Sequence, residues 1–541
     1  MKKYILAACA AALLTTANAG AQQILTGELS DDSTLAEFGC YYLEDCFVVK
    51  SGFTLTIEAG VTVLARSASA LVVEPGARLV VNGTETDPVV FTSAEDPSER
   101  NPGDWYGIII GGYSYTNNGS LDMGSCTNVT AGGTNPDDNS GEIRYLQVHY
   151  AGGDTTLMLD NALTLNAVGS GTIIEHVQVT NSAANNFGIY GGTVDLSYLF
   201  SLDARQNDVL ISDGYTGRMQ YLLAIRKDPN AYHTNPSNGI LIQNNFGPAP
   251  YGGSPLTAPT ISNATIIGPE ACNEGPFGGD FQDGVKFTNN GAGSVYNAVI
   301  YGCPDHGLYI DGDQSVGHTA TDALNFSYST LTGNGTPFGS STWTGGCSGS
   351  MALWITGSGS SCVENGNQVG TTDPAYDETL CSDYCDEMVV PEFSVDGENT
   401  ELEAPDFGWP SGDTWFDDAA AYRGAIQEED LYTPWSELCP GETIYCNETQ
   451  ARSLSEAQSL HIIPNPTSGS AHLLFETGSA GTARIQILDP VGGQTLRDLL
   501  VHAGKGTNRI ALPLADLHAG VYLVKITLPG GRVTTSRLFV L

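Results

Sequence analysis

Residues 56–81 read TIEAGVTVLARSASALVVEPGARLVV, in which aliphatic positions alternate with polar ones and Glu-x-Gly turns interrupt the alternation. The two halves superpose at an offset of 16 residues, with Ile57 on Val73, Glu58 on Glu74, Gly60 on Gly76 and Val63 on Leu79. Each half predicts two short strands about a turn. A unit of this size cannot bury its apolar face alone and has to stack on copies of itself. The pattern therefore predicts the first coils of a parallel β-helix.

The same grammar continues along the chain. Residues 71–81, 89–92 and 104–112 contain short continuous apolar runs bounded by glycine, as in parallel strands buried on the inner face. Residues 113–140 are polar and rich in Gly, Asn, Asp and Thr, and predict a long insertion at a coil corner, where solenoids carry binding surfaces. Strand patterns resume at 142–151 and recur to 323–331. Asn161, Asn166, Asn181, Asn263 and Asn297 fall at strand ends and predict amide ladders at the turns. We expect an N-terminal cap at 22–50, a solenoid with loop insertions at 51–400 and a C-terminal cap at 401–446. In that cap Trp409, Trp415, Phe416 and Trp435 would cover the last coil; a carbohydrate platform of exposed Trp is the alternative. A polar linker follows at 447–460, then a segment at 461–541 whose alternating strands and glycine turns predict a small antiparallel β-sandwich. The fold class is all-β.

Charge narrows the partners. The chain holds 61 acidic and 21 basic residues, and the stretch 22–451 alone carries 56 acidic against 11 basic. Such a body repels nucleic acid and anionic membrane. The first 21 residues read as a signal peptide: Lys2-Lys3, an apolar run, and Ala17-Asn18-Ala19, with cleavage after Ala19 or Ala21. The apolar run before Cys9 is too short for a lipidation signal. No other stretch reaches the ~18 apolar residues of a membrane span, so no transmembrane anchor is expected.

Twelve cysteines suit an oxidising compartment. Short spacings suggest the pairs Cys40–Cys46, Cys347–Cys362, Cys381–Cys385 and Cys439–Cys446, with Cys272–Cys303 between neighbouring coils and Cys126 left free.

Candidate chemistry is sparse. A hydrolase needs two carboxylates about 5–10 Å apart, and Asp280/Asp283 and Asp305/Asp311/Asp313, in neighbouring loops, are the best clusters. Asp203, Asp208 and Asp213 are candidates for weak Ca²⁺ binding, which hard oxygen ligands favour. A lyase needs a base, often Arg or Lys, and the central cations are Arg144, Arg205, Arg218, Arg226, Lys227 and Lys286. Lys286 reads as a solvated outer-face residue. His149, His176, His233, His306 and His318 are scattered, and no HExxH, Ser-His-Asp, P-loop or dinucleotide pattern is present. Two readings stand: a non-enzymatic adhesin-like or glycan-contacting scaffold, and a polysaccharide hydrolase or calcium-assisted lyase.

Several segments, among them NALTLNAVGSGTIIEHVQVTNSAANNFGIYGGTVDLSYLF, TAPTISNATIIGP and TWFDDAAAYRGAI, resemble a family of secreted bacterial right-handed parallel β-helix repeat proteins. The family's Tyr-x-Gly-Ala signature is carried by Tyr422, Gly424 and Ala425. The resemblance implies a fold and a secreted life, and no reaction. At Asn185-Asn186-Phe187-Gly188 the chain is less acidic than that family, which argues against a metal site there.

The tail resembles the type A C-terminal sorting domain of the Bacteroidetes type IX secretion system. The matching motifs are Pro464-Asn465-Pro466, Asp489 to Gly492, then Leu517, Gly520 and Tyr522, and Arg537 where Lys is commoner. This resemblance implies passage through the outer membrane by the type IX machinery, removal of the domain, and attachment to surface lipopolysaccharide. Extracellular glycans are the further partners expected on the scaffold reading.

Overall fold

The computed structural model describes residues 23–446 and 461–540, except 154–160, 228–236, 273–280, 348, 359–364, 371–375, 377–384, 386–412, 421, 427–430, 464–470, 478–480, 489–494, 505, 515–516, 519 and 529–532. Within 23–446 almost every strand pairs in parallel with strands one coil away, and each coil contributes a side to three sheets. One hydrophobic cluster fills the interior from Leu29 to Ile355.

The first sheet contains the strands Thr62–Ala65, Val89–Ser93 and the second halves of Gly141–His149, Ile173–Thr180, Asp195–Leu202, Arg218–Ile225 and Thr260–Ile267. The second contains Ala70–Val73, Gly107–Gly111, Asn161–Asn166, Asn185–Tyr190, Val209–Ser212, Ile240–Gln243, Asp283–Thr288, His306–Ile310 and Thr336–Ser340. The third contains Thr54–Glu58, Arg78–Asn82 and the first halves of the long strands. Alternate residues such as Ile108, Leu163, Phe187, Val209, Ile240, Val285 and Leu308 point into the core, because side chains along a strand alternate between faces.

This three-sided coil corrects the 16-residue repeat. Ile57 stacks on Val81 and Leu55 on Leu79, so neighbouring coils lie 24 residues apart there. The similar stretches around Ile57 and Val73 are sides of the solenoid on different sheets. Residues 22–50 are corrected likewise: Gln23–Leu29 and Cys40–Val49 pair in parallel with each other and with later coils, so they are the first coils and not a separate cap.

The corners are turned by residues in the left-handed region. Tyr145, His176, Tyr198 and Tyr221 take φ of 51, 55, 54 and 62° at equivalent corners between the third and first sheets. Their rings stack with centroid separations of 4.3, 4.3 and 4.6 Å. Each such residue costs about 1 kcal/mol in backbone strain, and each stacked pair returns about 0.5–1.5 kcal/mol. The predicted amide ladder exists with a different membership. Asn185, Asn207 and Asn238 each donate Nδ2 to the Oδ1 of the asparagine one coil before, at 2.9, 2.7 and 2.9 Å, starting from Asn161. Asn181, Asn263 and Asn297 are left-handed corner residues, and Asn166 donates to Asp122 O.

Two segments dress the outside. The insertion after Gly107–Gly111 carries a small antiparallel pair, Leu121–Asp122 with Thr130–Ala131. Its Leu121, Met123 and Ala131 bury the outward Val48, Val72 and Ile109 of the second sheet. The other segment replaces the expected C-terminal cap. The described part of 413–446 runs lengthwise along the first sheet as a strap. Asp413 pairs with Arg218 at 2.5 Å, and Asp417 accepts from Tyr221 Oη at 2.9 Å. Arg423 then reaches Ser329 O and Gly366 O at 3.2 and 2.7 Å, and the chain turns back. Trp435 O accepts from Gln147 at 2.8 Å, Glu437 and Gln178 exchange two hydrogen bonds, and Arg100 holds Pro440 and Thr443 carbonyls. Ala425, Ile426, Tyr432 and Trp435 cover the outward Phe200, Leu202, Leu223, Ile225 and Ile267. Gly424 sits at the turn with φ of 86°, and a Cβ there would come within 2.6 Å of Thr265 Oγ1. The Tyr-x-Gly-Ala signature is thus the tip of the strap.

Disulfides follow the stacking and not the sequence spacing. Cys40 bonds Cys446, Cys46 bonds Cys126 and Cys385 bonds Cys439. These overturn the expected Cys40–Cys46, Cys381–Cys385 and Cys439–Cys446 pairs and the free Cys126. Cys272 is disulfide-bonded while Cys303 is a free, buried thiol, so that pair is also overturned. Cys347 is bonded as well; Cys362 and Cys381 lie outside the described residues.

The tail forms its own unit. His461–Ile463, Ala471–Thr477 and Gly506–Leu512 make one antiparallel sheet, and Thr495–Ala503, Gly481–Leu488, Gly520–Thr527 and Val533–Val540 make another. Both line a single hydrophobic cluster that includes Leu473, Phe475, Ile485, Ile487, Val524 and Leu538.

Candidate functional site on the open face of the second sheet

The insertion covers the outer side of the early second sheet, and the strap covers the first. Farther along the second sheet, the outward positions stay accessible at Lys286 and Tyr309, which are neighbours in register. Asp283 and His306 face each other at the start of the same two strands. Asp283 Oδ1 lies 2.8 Å from His306 Nδ1, and Lys286 Nζ donates to Asp283 Oδ2 at 2.9 Å. The carboxylate is buried, whereas Lys286 and His306 keep 17 % and 27 % of their side-chain surface, so both reach solvent. Lys286 Nζ also sits 5.1 Å above the Tyr309 ring, and His306 stacks on that ring at 4.7 Å. Gly339, one coil on, leaves the imidazole room: a Cβ there would come within 2.6 Å of His306 Nε2.

The arrangement can orient an imidazole. With Nδ1 tied to Asp283, Nε2 is the nitrogen left for proton exchange, beside an ammonium and a phenol. Of the predicted carboxylates, Asp283 is tied to His306 and Lys286, and Asp305 lies one strand over, its backbone N–H donating to Gln282 O at 3.0 Å. Asp305 is exposed beside His306. Asp311 accepts from Thr288 Oγ1 at 3.2 Å, at the far end of the strands. Five residues of strand separate it from His306, roughly 16 Å at about 3.3 Å per residue, beyond hydrolase spacing. Asp313 opens the short helix Asp313–His318 and accepts from Thr342 at 2.5 Å. Asp280 lies outside the described residues.

Asp203, Asp208 and Asp213 do not form one site either. Asp208 and Asp213 flank the strand Val209–Ser212, again roughly 16 Å apart. Asp208 is fully buried against Arg226, whose Nε approaches its two oxygens at 3.1 and 3.0 Å. Burial pushes Asp208 up to about 6, with Arg226 opposing the rise. Asp203 Oδ1 accepts from the Lys227 backbone at 2.6 Å. Among the described residues no group of three or more His, Cys, Asp or Glu is placed to hold a metal ion.

Asp213 makes a separate prediction. It is buried, its Oδ1 has no partner, and burial pushes it from 3.8 up to about 6. A carboxyl whose folded pKa lies above its unfolded value contributes stability below the unfolded pKa and loses it as pH rises through the folded one. Asp213→Asn is therefore expected to gain about 1–3 kcal/mol at pH 7. Urea unfolding should show that gain shrinking as the pH is lowered through 6 toward 4. An unchanged midpoint at pH 7 would count against the account.

Most of the other cations are engaged. Arg144 holds Glu142 and Glu175, Arg218 holds Asp195 and Asp413, and Arg226 is sealed in the interior. Arg205 is the exception: its Nε is shielded from solvent and has no hydrogen-bond partner. His149 is enclosed under Tyr445 and held down to about 3 by burial. His176, inside the ring stack, is held down to about 4 by burial and Arg144. His318 bonds Asn290 at 2.8 Å, and His233 lies outside the described residues. The predicted tryptophan platform is not formed by the described residues: Trp435 and Phe416 are buried, and Trp415 packs under Arg218. Tyr309 and Gly339 went unnoticed in the sequence. Their signal is the 23-residue step from Asp283 to His306, which becomes a coil length only once the stacking register is known.

In the tail, Tyr522 Oη donates to His518 O at 2.8 Å and its ring packs on the cluster with Leu517. Leu523 pairs with Arg537 across the last two strands, and Gly520 begins the first of these. Pro464, Asn465 and Pro466, like the cleavage positions Ala19 and Ala21, lie outside the described residues.

Comparison with known families agrees with both units. Residues 27–360 match the pectate-lyase-like β-helix domain, and residues 461–540 match the secretion system C-terminal sorting domain. Comparison with curated proteins finds no match. No helix among the described residues is long and apolar enough to cross a membrane. The chain belongs to the pectate-lyase-like β-helix family, and its sorting domain directs it through the type IX secretion machinery to the cell surface or the extracellular space.

Proposed function

We propose that the exported chain is a non-enzymatic, adhesin-like scaffold that displays loops toward extracellular glycans. The observation that carries this reading is where the charged groups are used. Lys50, Arg66, Arg144, Arg218, Arg226 and Lys286 each hold a carboxylate, and Arg100 and Arg423 hold backbone carbonyls. A lyase acting on a polyanion needs free cations, and a hydrolase needs two converging carboxylates; most of the body's cations are taken up by the solenoid instead. Attachment to surface lipopolysaccharide after loss of the tail belongs to the same proposal.

The Asp283–His306–Lys286–Tyr309 cluster favours a second reading, a polysaccharide hydrolase or calcium-assisted lyase with His306 as the proton-transfer group. One experiment separates the two. The secreted protein is incubated with a polysaccharide panel, with Ca²⁺ or with EDTA, and reducing ends and unsaturated products are measured. The scaffold reading expects no turnover. Turnover abolished in His306→Ala and Asp283→Asn would sink it. The export route has its own check: deletion of residues 461–541 is expected to retain the protein in the periplasm, and normal surface delivery of the truncated chain would overturn that expectation.

A further inference from the structure

Most large apolar side chains of the solenoid are inside it, so the exposed rings stand out. Phe246 is 61 % exposed, Tyr113 42 % and Tyr115 38 %. They belong to two loops distant in sequence that the fold stitches together. Asn117 Nδ2 donates to Asn244 O and Oδ1 at 3.0 and 2.8 Å and to Pro255 O at 3.1 Å. Tyr115 O accepts from Gly192 N at 2.7 Å, which places it beside Tyr190 and Gly191. Phe246 lies over Tyr190 with centroids 6.2 Å apart. Tyr115, Tyr190 and Phe246 thus form a shelf on the outside of the second sheet, whereas the Tyr113 ring lies away from it against Gly76.

The chemistry of the shelf has a further mark. Residues 113–119, 190–192 and 244–255, which build it, contain no charged side chain in a body of 56 acids and 11 bases. Exposed rings beside uncharged, amide-rich loops suit a ligand that has apolar C–H faces and many hydroxyls. The strongly acidic surroundings disfavour a polyanion.

We propose that this shelf binds an uncharged polysaccharide chain, with sugar rings stacked on Phe246 and Tyr115. The inference rests on the glycan-contacting reading and names the site and the ligand class for it. The test is affinity electrophoresis of the secreted protein in gels containing a β-glucan, a mannan, a xylan or polygalacturonate. Phe246→Ala, Tyr115→Ala and the double variant are run beside wild type, with thermal melts to confirm folding. Retardation by at least one uncharged polysaccharide, weakened tenfold or more in the double variant, is the expected result. Retardation that survives in the folded double variant overturns the shelf and leaves the glycan-contacting reading standing. Retardation by polygalacturonate alone overturns the uncharged ligand. No retardation by any polysaccharide, or self-association in sedimentation that Phe246→Ala abolishes, overturns both.

Discussion

Replacing Cys40 and Cys446 by serine is expected to release the strap and cost the solenoid more stability than any surface change. The disulfide joins residues 406 apart in sequence. In the chain-entropy account, closing a loop of that size is worth about 4–6 kcal/mol. The latch also holds the end of a segment that buries the outward apolar face of the first sheet, from Phe200 to Ile267. Its loss should expose Trp435, which meets His176 edge-on at 5.5 Å, and shift tryptophan emission to the red. Limited proteolysis should cut first within residues 413–446. A variant as stable and as protease-resistant as the parent would show that Arg100, Gln147, Gln178 and Arg423 hold the strap unaided. Because Cys446 precedes the sorting domain at residues 461–540, loss of that domain would leave the latch and the strap in place.

The second large effect is expected at Arg226. This guanidinium is fully buried and bonds Asp208, the carbonyls of Ala204, Gln206 and Asn238, and the face of Phe281. Asp208 has one other partner, the Ser201 hydroxyl at 2.6 Å. Arg226→Met leaves that carboxylate in the interior without its countercharge, at a cost of about 3–5 kcal/mol. Chemical denaturation of wild type and variant measures it. The double variant Arg226→Met/Asp208→Leu should recover a large part of the loss, because a buried pair replaced by apolar groups is often close to neutral. Equal losses in the single and double variants would mean that the pair contributes little and that the carbonyl contacts dominate.

Both effects were hidden in the sequence for one reason. In a stacked solenoid the nearest neighbour of a residue lies one coil away, and coil length varies with the loops. Asp283 meets His306 across 23 residues, whereas Ile57 meets Val81 across 24 and Val63 meets Phe91 across 28. Acidic residues close in sequence, such as Asp208 and Asp213, therefore end up at opposite ends of a strand. Cysteines close in sequence, such as Cys40 and Cys46, bond to partners 406 and 80 residues away.

What the amino-acid sequence determined alone is local. Alternating and continuous apolar runs specified strands, glycine and asparagine marked corners, and the ordered motifs of the tail named the export route, because each depends on residues within one strand, turn or domain. What only the tertiary structure decided is everything set by stacking: the three-sided coil, the cysteine pairing, the strap in place of an end cap, and the meeting of Asp283, Lys286, His306 and Tyr309 on one face. Those contacts depend on register between coils, a sum of many loop lengths. The hydrophobic pattern constrains each strand's face and leaves that sum to the folded chain.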